Sequence, residues 1–409
     1  MNKKLIIAMI TTTLSASAYA EGPEVKLNGG FEVQAVYVKN RKPVSSTNYI
    51  TGNHKTSGMH STGHIQADAH SITESGVKYG AKLGLVTTAR SSRKLASSLY
   101  VESNAGKWEL GSDKSAVGKM KITPYTNACA TAGGWDVWAK LDPSVTSKPL
   151  ATMYISNFGG FADPKTRDGD QSEYSRKVTY YTPELGGFQL GLSYIPDTTN
   201  SGYTTPGDTQ HHDAAKIFDA SRYKVDIKNL FAGGLTYSTK TEDFSLKIAL
   251  VGEMGKAKPY FKAPSTAEAA ALPNPVVPDA KFKKLRTYTV GTEIAYKDVS
   301  LTAAYSDYMK SLTSPQIDTL GRNTRIYGFG ARYNHPSKVS LSATYFASDH
   351  KKNKLNATTL GVEYKGVQGL MPYAEVTVYK TKGRRLAGTE IIPNSNKGTA
   401  VVVGMKIEF

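Results

Sequence analysis

Cysteine is almost missing from this chain: Cys129 is the one example in 409 residues. No intramolecular disulfide can form, and in an exported chain such a residue reads as an incidental thiol. Long apolar runs are scarce too. Beyond the N-terminus no stretch reaches 18 apolar residues, which excludes a transmembrane helix. Catalytic signatures are absent as well, since there is no G-x-S-x-G and no H-E-x-x-H, and serine and histidine are plentiful but unpatterned. Gly186-Gly187 and Gly233-Gly234 are not followed by a helix that could present its N-terminus to a phosphate. No catalytic, cofactor-binding or metal-ligating residue is therefore assigned. Carboxylates are in deficit, with 34 Asp and Glu against 51 Lys and Arg, a formal charge of +17. An excess of that size implies a polyanionic partner or a path for anions.

What is present begins with an export signal. Lys3 and Lys4 precede an apolar stretch over 5–16, softened by three threonines, and Ala18-Tyr19-Ala20 supplies the small-x-small cleavage site. Residues 1–20 are thus expected to be removed, leaving a mature chain of 21–409 with a formal charge of +15. Only three tryptophans accompany 25 tyrosines and 37 glycines, a balance that favours an all-β chain with aromatic girdles.

Strict alternation of apolar and polar residues then recurs along the chain. Residues 175–194, SRKVTYYTPELGGFQLGLSY, hold two alternating runs around a turn over 183–187, short enough only for an antiparallel hairpin. Val178 and Tyr180 oppose Lys177, Thr179 and Tyr181; Phe188, Leu190, Leu192 and Tyr194 oppose Gln189, Gly191 and Ser193. The same pattern predicts strands over 25–39, 63–71, 76–88, 95–104 and 107–113, with 41–63 an exposed loop. After the hairpin it predicts strands within 221–238 and over 243–253, 285–296, 299–309, 322–333, 339–349, 355–365, 372–382 and 398–409. In the strand from 221, Val225, Ile227, Leu235 and Tyr237 are expected on one face, opposite Arg222, Lys224, Asp226 and Lys228. The total is about sixteen strands, with seven short turns alternating with eight longer loops.

Strands of about 9–15 residues suit a tilted crossing of roughly 30 Å of hydrocarbon, whereas strands of soluble sandwiches are nearer five or six. Open edges cannot stand in lipid, so the set must close on itself. One face carries Gly191, Ser193, Thr302, Ser340, Ser342 and Thr344 beside lysines. That face is too polar for a lipid-facing wall and is expected to line water. The fold expected is a transmembrane antiparallel β-barrel.

The segment KVTYYTPELGGFQLGLSY resembles the hairpin that follows the long third loop of the Gram-negative porins, and the terminal GMKIEF is similar to their last strand. The resemblance implies a barrel of sixteen strands, a homotrimer, and a third loop folded inward to narrow the channel. It marks the strand ending at Phe409 as an assembly signal, and with the turn asymmetry it sets termini and short turns on the periplasmic side. The expected partners are two further copies, outer-membrane lipid and lipopolysaccharide, and small hydrophilic solutes and anions, with no nucleic acid. The loop in question is 114–171, in which Asp136, Asp142, Asp163, Asp168 and Asp170 share the segment with Lys119, Lys121, Lys140, Lys148, Lys165 and Arg167. Asp136, Asp142, Asp168 and Asp170 are its candidate selectivity carboxylates.

On the wall, Lys78 and Lys82 are the leading candidates for a basic cluster, because the phase of their strand is unambiguous. Lys177, Lys224, Lys228, Lys247 and Arg332 share the inward phase, as does Glu109. His54, His60, His64 and His70 recur over the first loop and second strand and read as scattered side chains of a solvated loop rather than a metal patch. His211-His212-Asp213 reads the same way. Function is then expected to be passive diffusion through a water-filled pore that prefers anions, with no catalysis. A surface barrel with a plugged lumen is the alternative.

Overall fold

A computed structural model describes residues 23–41, 56–88, 91–137, 158, 175–198, 223–261, 281–313, 323–350, 353–387 and 390–409. The signal segment 1–20, His54, the 211–213 cluster, Asp142, Asp163, Asp168 and Asp170 lie outside those residues.

Sixteen antiparallel strands close into one barrel, each bonded to its neighbours in sequence. They are β1 Glu24–Asn40, β2 Ser57–Ile72, β3 Lys78–Thr88, β4 Ser91–Ser103, β5 Gly106–Ser112, β6 Arg176–Tyr181, β7 Phe188–Asp197 and β8 Tyr223–Lys240. The second half is β9 Phe244–Phe261, β10 Leu285–Tyr296, β11 Val299–Met309, β12 Thr324–Asn334, β13 Val339–His350, β14 Asn353–Tyr364, β15 Leu370–Ala387 and β16 Glu390–Glu408. The seam pairs β1 with β16, from Gly30 opposite Glu408 to Asn40 opposite Gly398. Phe409 finishes it: its carbonyl accepts from the Gly29 N–H at 2.9 Å and its N–H donates to the Gly29 carbonyl at 3.0 Å. Closure leaves no unpaired edge for lipid to desolvate.

The alternation sorts the two faces as period two requires. Leu83, Leu99, Leu250, Phe329 and Leu360 stand 52–60% exposed on the outside, while Ser193, Thr302, Ser340 and Thr344 are buried inside. Aromatic pairs gather at both margins. Trp108 with Tyr180 (4.6 Å) and Phe188 with Tyr237 (4.7 Å) lie beside the short turns, and Tyr194 with Phe231 (5.0 Å) and Tyr288 with Tyr305 (6.1 Å) lie near the other rim. These are the two girdles of a membrane barrel.

Three expectations need correction. First, residues 57–62 belong to β2 and not to a loop, because backbone pairing to β1 through Tyr37–Ser57 holds a polar, Gly- and Ser-rich stretch that has no hydrophobic alternation. Second, three of the eight outer connections are two-residue joins, at 89–90, 351–352 and 388–389. The β15–β16 ladder runs on to Ala387 opposite Glu390, so hairpin arms extend into stretches expected to be loop. Third, the phase within β8 changes at a bulge between Lys228 and Phe231, where Asn229 takes a left-handed φ of 50°. Ile227 and Leu230 are buried inside (1% and 0% exposed), Phe231 and Leu235 face out, and Lys228 is exposed. Ile227 therefore does not share a face with Leu235, and Lys228 loses its inward assignment. One extra residue in the bulged strand is enough to exchange every face beyond it. The side chain of Lys224 lies outside the described ones.

Candidate functional site: the lumen and its inserted loop

The connection after β5 enters the barrel. It forms two short helices, α1 Ala116–Met120 and α2 Pro124–Ala128, then a 3-10 turn over Gly134–Val137. Ser115 caps α1, its Oγ accepting from the Gly118 N–H, and Pro124 at the first turn of α2 gives up an N–H that would have had no intrahelical partner. Helices this short do not stand alone; the wall holds them.

Wall residues of the inward phase are small where the loop lies on them. A Cβ on Gly191 would come within 2.4 Å of Met120 Sδ, one on Gly291 within 2.2 Å of the Ile122 carbonyl oxygen, and one on Gly330 within 3.1 Å of Pro124 and Ala128. Buried hydroxyls supply polar anchorage. Ser193 Oγ accepts from the Ala116 N–H at 2.8 Å, and Asn127 Nδ2 donates to Thr302 Oγ1 at 2.6 Å. Thr131 Oγ1 donates to Glu375 at 2.5 Å, and Lys406 Nζ donates to the Ala130 carbonyl. The strip thus follows the wall from β6 round to β16. Much of the inward polar face that alternation assigned to water is in contact with this loop.

Apolar packing completes the seat. Ala116, Val117 and Met120 pack with Tyr181, Ala232, Ala249 and Val251. Further along, Tyr125, Trp135 and Phe158 pack with inward-pointing Ile195, Ile227, Leu230, Leu285, Ile326 and Leu355. Trp135 is fully buried, stacked on Tyr379 at 5.3 Å. A polar lumen throughout is accordingly not what the structure has: near the rim of the long connections one side of the interior is an apolar core. Cys129 belongs to it, with Sγ 3.5 Å from Thr344 Oγ1. Burial, and then the Glu375 charge, push its thiol up to about 12.

Besides Asp68, Glu102 and Glu375, which meet no Lys or Arg at ion-pair distance among the described residues, the charged groups of the site fall into two sets. In the first, acids are held by cations. Lys119 reaches Glu109 at 2.5 Å and Asp113 at 2.8 Å, and Lys107 reaches Glu109 at 3.2 Å. Lys247 meets Glu293 at 3.2 Å, and Arg332 pairs with Glu363 while donating to the Asn127 carbonyl at 3.0 Å. Burial works to raise the Asp113 carboxyl, but the charge and hydrogen bond of Lys119, with a smaller pull from Lys82, outweigh it and hold it below the usual carboxylate range. The same groups act in reverse on Lys119, where Glu109 and Asp113 outweigh burial and raise it. Lys177 is buried and donates to the carbonyls of Asp113 and Ser175, so it fastens the start and end of the loop to β6.

The second set is Lys78 and Lys82 on β3, a strand outside the wall of β6 to β9 and β11 to β13 on which α1 and α2 are chiefly packed. Neither has a carboxylate at ion-pair distance among the described residues. Lys82 lies 5.3 Å over the ring of Tyr100, which Lys107 approaches from 5.0 Å and whose hydroxyl donates to Asp68 at 2.8 Å. His60, His64 and His70 are on β2, in the inward phase opposite Gln34, Gly30 and Glu24, rather than in a solvated loop; His70 lies 3.2 Å from Glu24. Among the described residues no group of three His, Cys, Asp or Glu is placed to hold a metal.

Of the residues singled out from sequence, Lys177, Glu109, Lys247 and Arg332 point inward as expected, and Lys78 and Lys82 stand apart from the rest as cations without an ion pair among the described residues. Asp136 is on the 3-10 turn, with a side chain outside the described ones. Sequence reasoning passed over Tyr100, Lys107 and Asp113. The first two were within reach, since hairpin pairing puts Tyr100 opposite Gly80 and Glu109, and Lys107 opposite Glu102, on the face already assigned to the lumen.

A family model of the Gram-negative porins matches residues 6–384. An uncharacterized protein of Rickettsia prowazekii (strain Madrid E) is 29% identical over 449 aligned positions, and one of Rickettsia conorii (strain ATCC VR-613 / Malish 7) is 29% identical over 450, each covering 100% of both chains. Among solved structures, an anion-selective porin from Comamonas acidovorans superposes with a TM-score of 0.57 at 15% identity, covering 95% of this chain and 100% of that one. A mutant porin of Rh. blastica gives 0.53 at 14% identity, with 94% and 100% covered. At such identities these two structures speak for the fold alone. With a closed barrel of sixteen strands, a loop folded inside it and a family match over nearly its whole length, the chain belongs to the Gram-negative porins, barrels of the outer membrane.

Proposed function

We propose that the barrel is a diffusion channel for small hydrophilic solutes and ions with a preference for anions. The observation that carries this reading is the pair of lumen lysines on β3 that no carboxylate engages at ion-pair distance among the described residues, with Asp68 and Glu102 standing opposite Lys82 and Lys78 in the ladders and tempering the preference. Glu109, Asp113, Glu293 and Glu363 are each matched by a cation, whereas Lys78 and Lys82 face the lumen with no ion pair among the described residues. Opposed to a low-dielectric wall, two unmatched positive charges raise the local anion concentration more than the same charges would on an open surface. The Comamonas acidovorans porin is anion-selective; that property is its own, and its direction is the same. Asp136, Asp142, Asp168 and Asp170 complete the proposed set of selectivity residues and act against the preference if they reach the narrowing.

The same reading includes export through the signal at residues 1–20 and assembly as a homotrimer in lipid and lipopolysaccharide. The apolar cluster around Trp135 favours one competing reading, a lumen too occluded to conduct. Planar-bilayer recording separates the two: discrete conductance steps are expected, with a reversal potential in a KCl gradient on the anion side. Absence of conductance, or cation preference in the unmodified protein, overturns the proposal.

A further inference from the structure

Tyr100 reaches across a whole strand to find its partner. It stands on β4, 4% exposed, its ring lies over Gly80 of β3, and its hydroxyl donates to Asp68 Oδ1 of β2 at 2.8 Å. Gly80 makes the crossing possible. A Cβ there would meet Tyr100 Cζ at 2.8 Å and would stand 2.5 Å from the Ala69 carbonyl oxygen, which is backbone and cannot swing aside. Gly80 also separates Lys78 from Lys82 along β3, so the ring occupies the notch between the two lumen lysines. Lys82 Nζ lies 5.3 Å and Lys107 Nζ 5.0 Å from its centroid, within range for a cation over an aromatic face.

Asp68 has another partner within reach. It stands directly opposite Lys82 in the ladder between β2 and β3, and opposite Lys26 in the ladder between β1 and β2. Side chains of opposite charge so placed are close enough to pair. Lys26 is taken by Glu24 at 3.2 Å. His70 faces the same two carboxylates, with Nε2 3.2 Å from Glu24 and Nδ1 3.7 Å from Asp68 Oδ1, the latter beyond hydrogen-bond length. Lys82 is therefore the cation that Asp68 would meet, yet among the described residues the two form no ion pair, and the Asp68 oxygen takes the Tyr100 hydroxyl instead. A phenol brings no charge of its own. Bonding Asp68 to it leaves the Lys82 ammonium facing the lumen.

We propose that Tyr100 is a positioning residue for ion selectivity: its hydroxyl diverts the Asp68 carboxylate from Lys82, while its ring seats the Lys82 and Lys107 ammoniums in the lumen. The inference rests on the diffusion channel proposed above and names the group that keeps one of its two lysines unpaired. Without the hydroxyl, Asp68 is released to close on the cation opposite, and the field that Lys82 presents to passing anions is cancelled at close range.

The test is a cycle of Tyr100→Phe, Asp68→Asn and the double variant in the full-length protein, read by reversal potential in a KCl gradient. Phenylalanine keeps the ring and removes only the hydroxyl. Tyr100→Phe is expected to move the permeability ratio about 1.5- to 2-fold toward cations, the size expected for cancelling one of the two lysine charges. The same substitution is expected to produce no shift once Asp68→Asn is present, because no carboxylate is left to close on Lys82. The comparison is between variants, so cation preference in the unmodified pore overturns the ion preference proposed above and leaves this coupling readable. Mass-spectrometric acylation of Lys82, with Lys78 as internal reference, runs the same cycle without a conducting pore. Tyr100→Phe should slow that labelling about twofold or more, and Asp68→Asn should abolish the difference, since a neighbouring carboxylate keeps an ammonium in its unreactive protonated form. No change with Tyr100→Phe, or an equal change with and without the Asp68 carboxylate, overturns the proposal, the second by making the hydroxyl a purely structural group.

Discussion

Gly291 tests the seating of the loop at its tightest point, because the obstacle there is backbone. A methyl group at this position would meet the Ile122 carbonyl oxygen at 2.2 Å, and no side-chain rotation relieves that contact. Gly291→Ala is expected to weaken loop docking by about 1–3 kcal/mol, the usual range for overpacking, and to appear as noisier open-channel current with the barrel still folded. Unchanged current noise would mean that the loop is not held against β10. Lys78 and Lys82 carry the second test at this scale. A unit charge about 4 Å from a passing ion in water-like surroundings is worth about 1 kcal/mol, so Lys78→Gln/Lys82→Gln should move the anion-to-cation permeability ratio about two- to fivefold toward cations. No such shift in reversal potential would remove these lysines from the selectivity set. Cys129 reacts as its surroundings dictate. With the thiol pushed up to about 12 and its Sγ inside the loop core, a hydrophilic thiol reagent at pH 8 should label it only after denaturation.

At the scale of the element, α1 is a clasp between the end of β5 and the inner wall. Lys119 satisfies both Glu109, 5% exposed, and Asp113. Removing a cation from such a site strands carboxylates away from water, so Lys119→Met is expected to cost about 3–5 kcal/mol of loop docking at most and to raise current noise more than Gly291→Ala does. The pH dependence follows from the two shifts. Asp113 is depressed in the folded protein, so its contribution is present above its unfolded value near 4 and is lost as pH falls through the folded one. Lys119 is raised, so its contribution is complete below its unfolded value near 10.4 and is lost as pH rises through the folded one. Channel noise should therefore be flat from about pH 5 to 9 and grow on acidification below about 4. Loosening near pH 6 instead would assign the clasp to other groups.

For the whole molecule, an anion preference that arises from fixed charge must weaken as salt screens it. The Debye length is about 10 Å at 0.1 M and about 3 Å at 1 M, so reversal potentials taken at constant gradient should converge toward zero as both compartments approach 1 M. A preference that persists unscreened would point to size exclusion and not to Lys78 and Lys82. Assembly is read at the same scale. If three barrels associate, unheated samples in mild detergent should migrate at the trimer mass and heated ones at the monomer mass; monomer alone in every mild detergent would count against the homotrimer.

Period-two alternation was sufficient to specify strands, their inward and outward faces and a closed barrel, because a strand's side chains alternate whatever lies beyond it and lipid tolerates no open edge. Leu83, Leu99 and Leu250 outside, with Ser193 and Thr302 inside, were therefore legible from the residues alone. Strand ends were not. The polar residues 57–62 and the arms of the β15–β16 hairpin are ordered by backbone pairing, which leaves no mark in hydrophobic pattern. Nor was the bulge at Asn229, where a single residue exchanges the faces of β8 and turns Ile227 inward. The site divides along the same line. Inward phase for Lys78, Lys82, Lys177, Glu109 and Arg332 is a local property of each strand. Which of these remain free is not, since Lys119 reaches Glu109 and Arg332 reaches the Asn127 carbonyl only because the loop after β5 is folded across the wall, bringing together groups 10 and 205 positions apart in the chain.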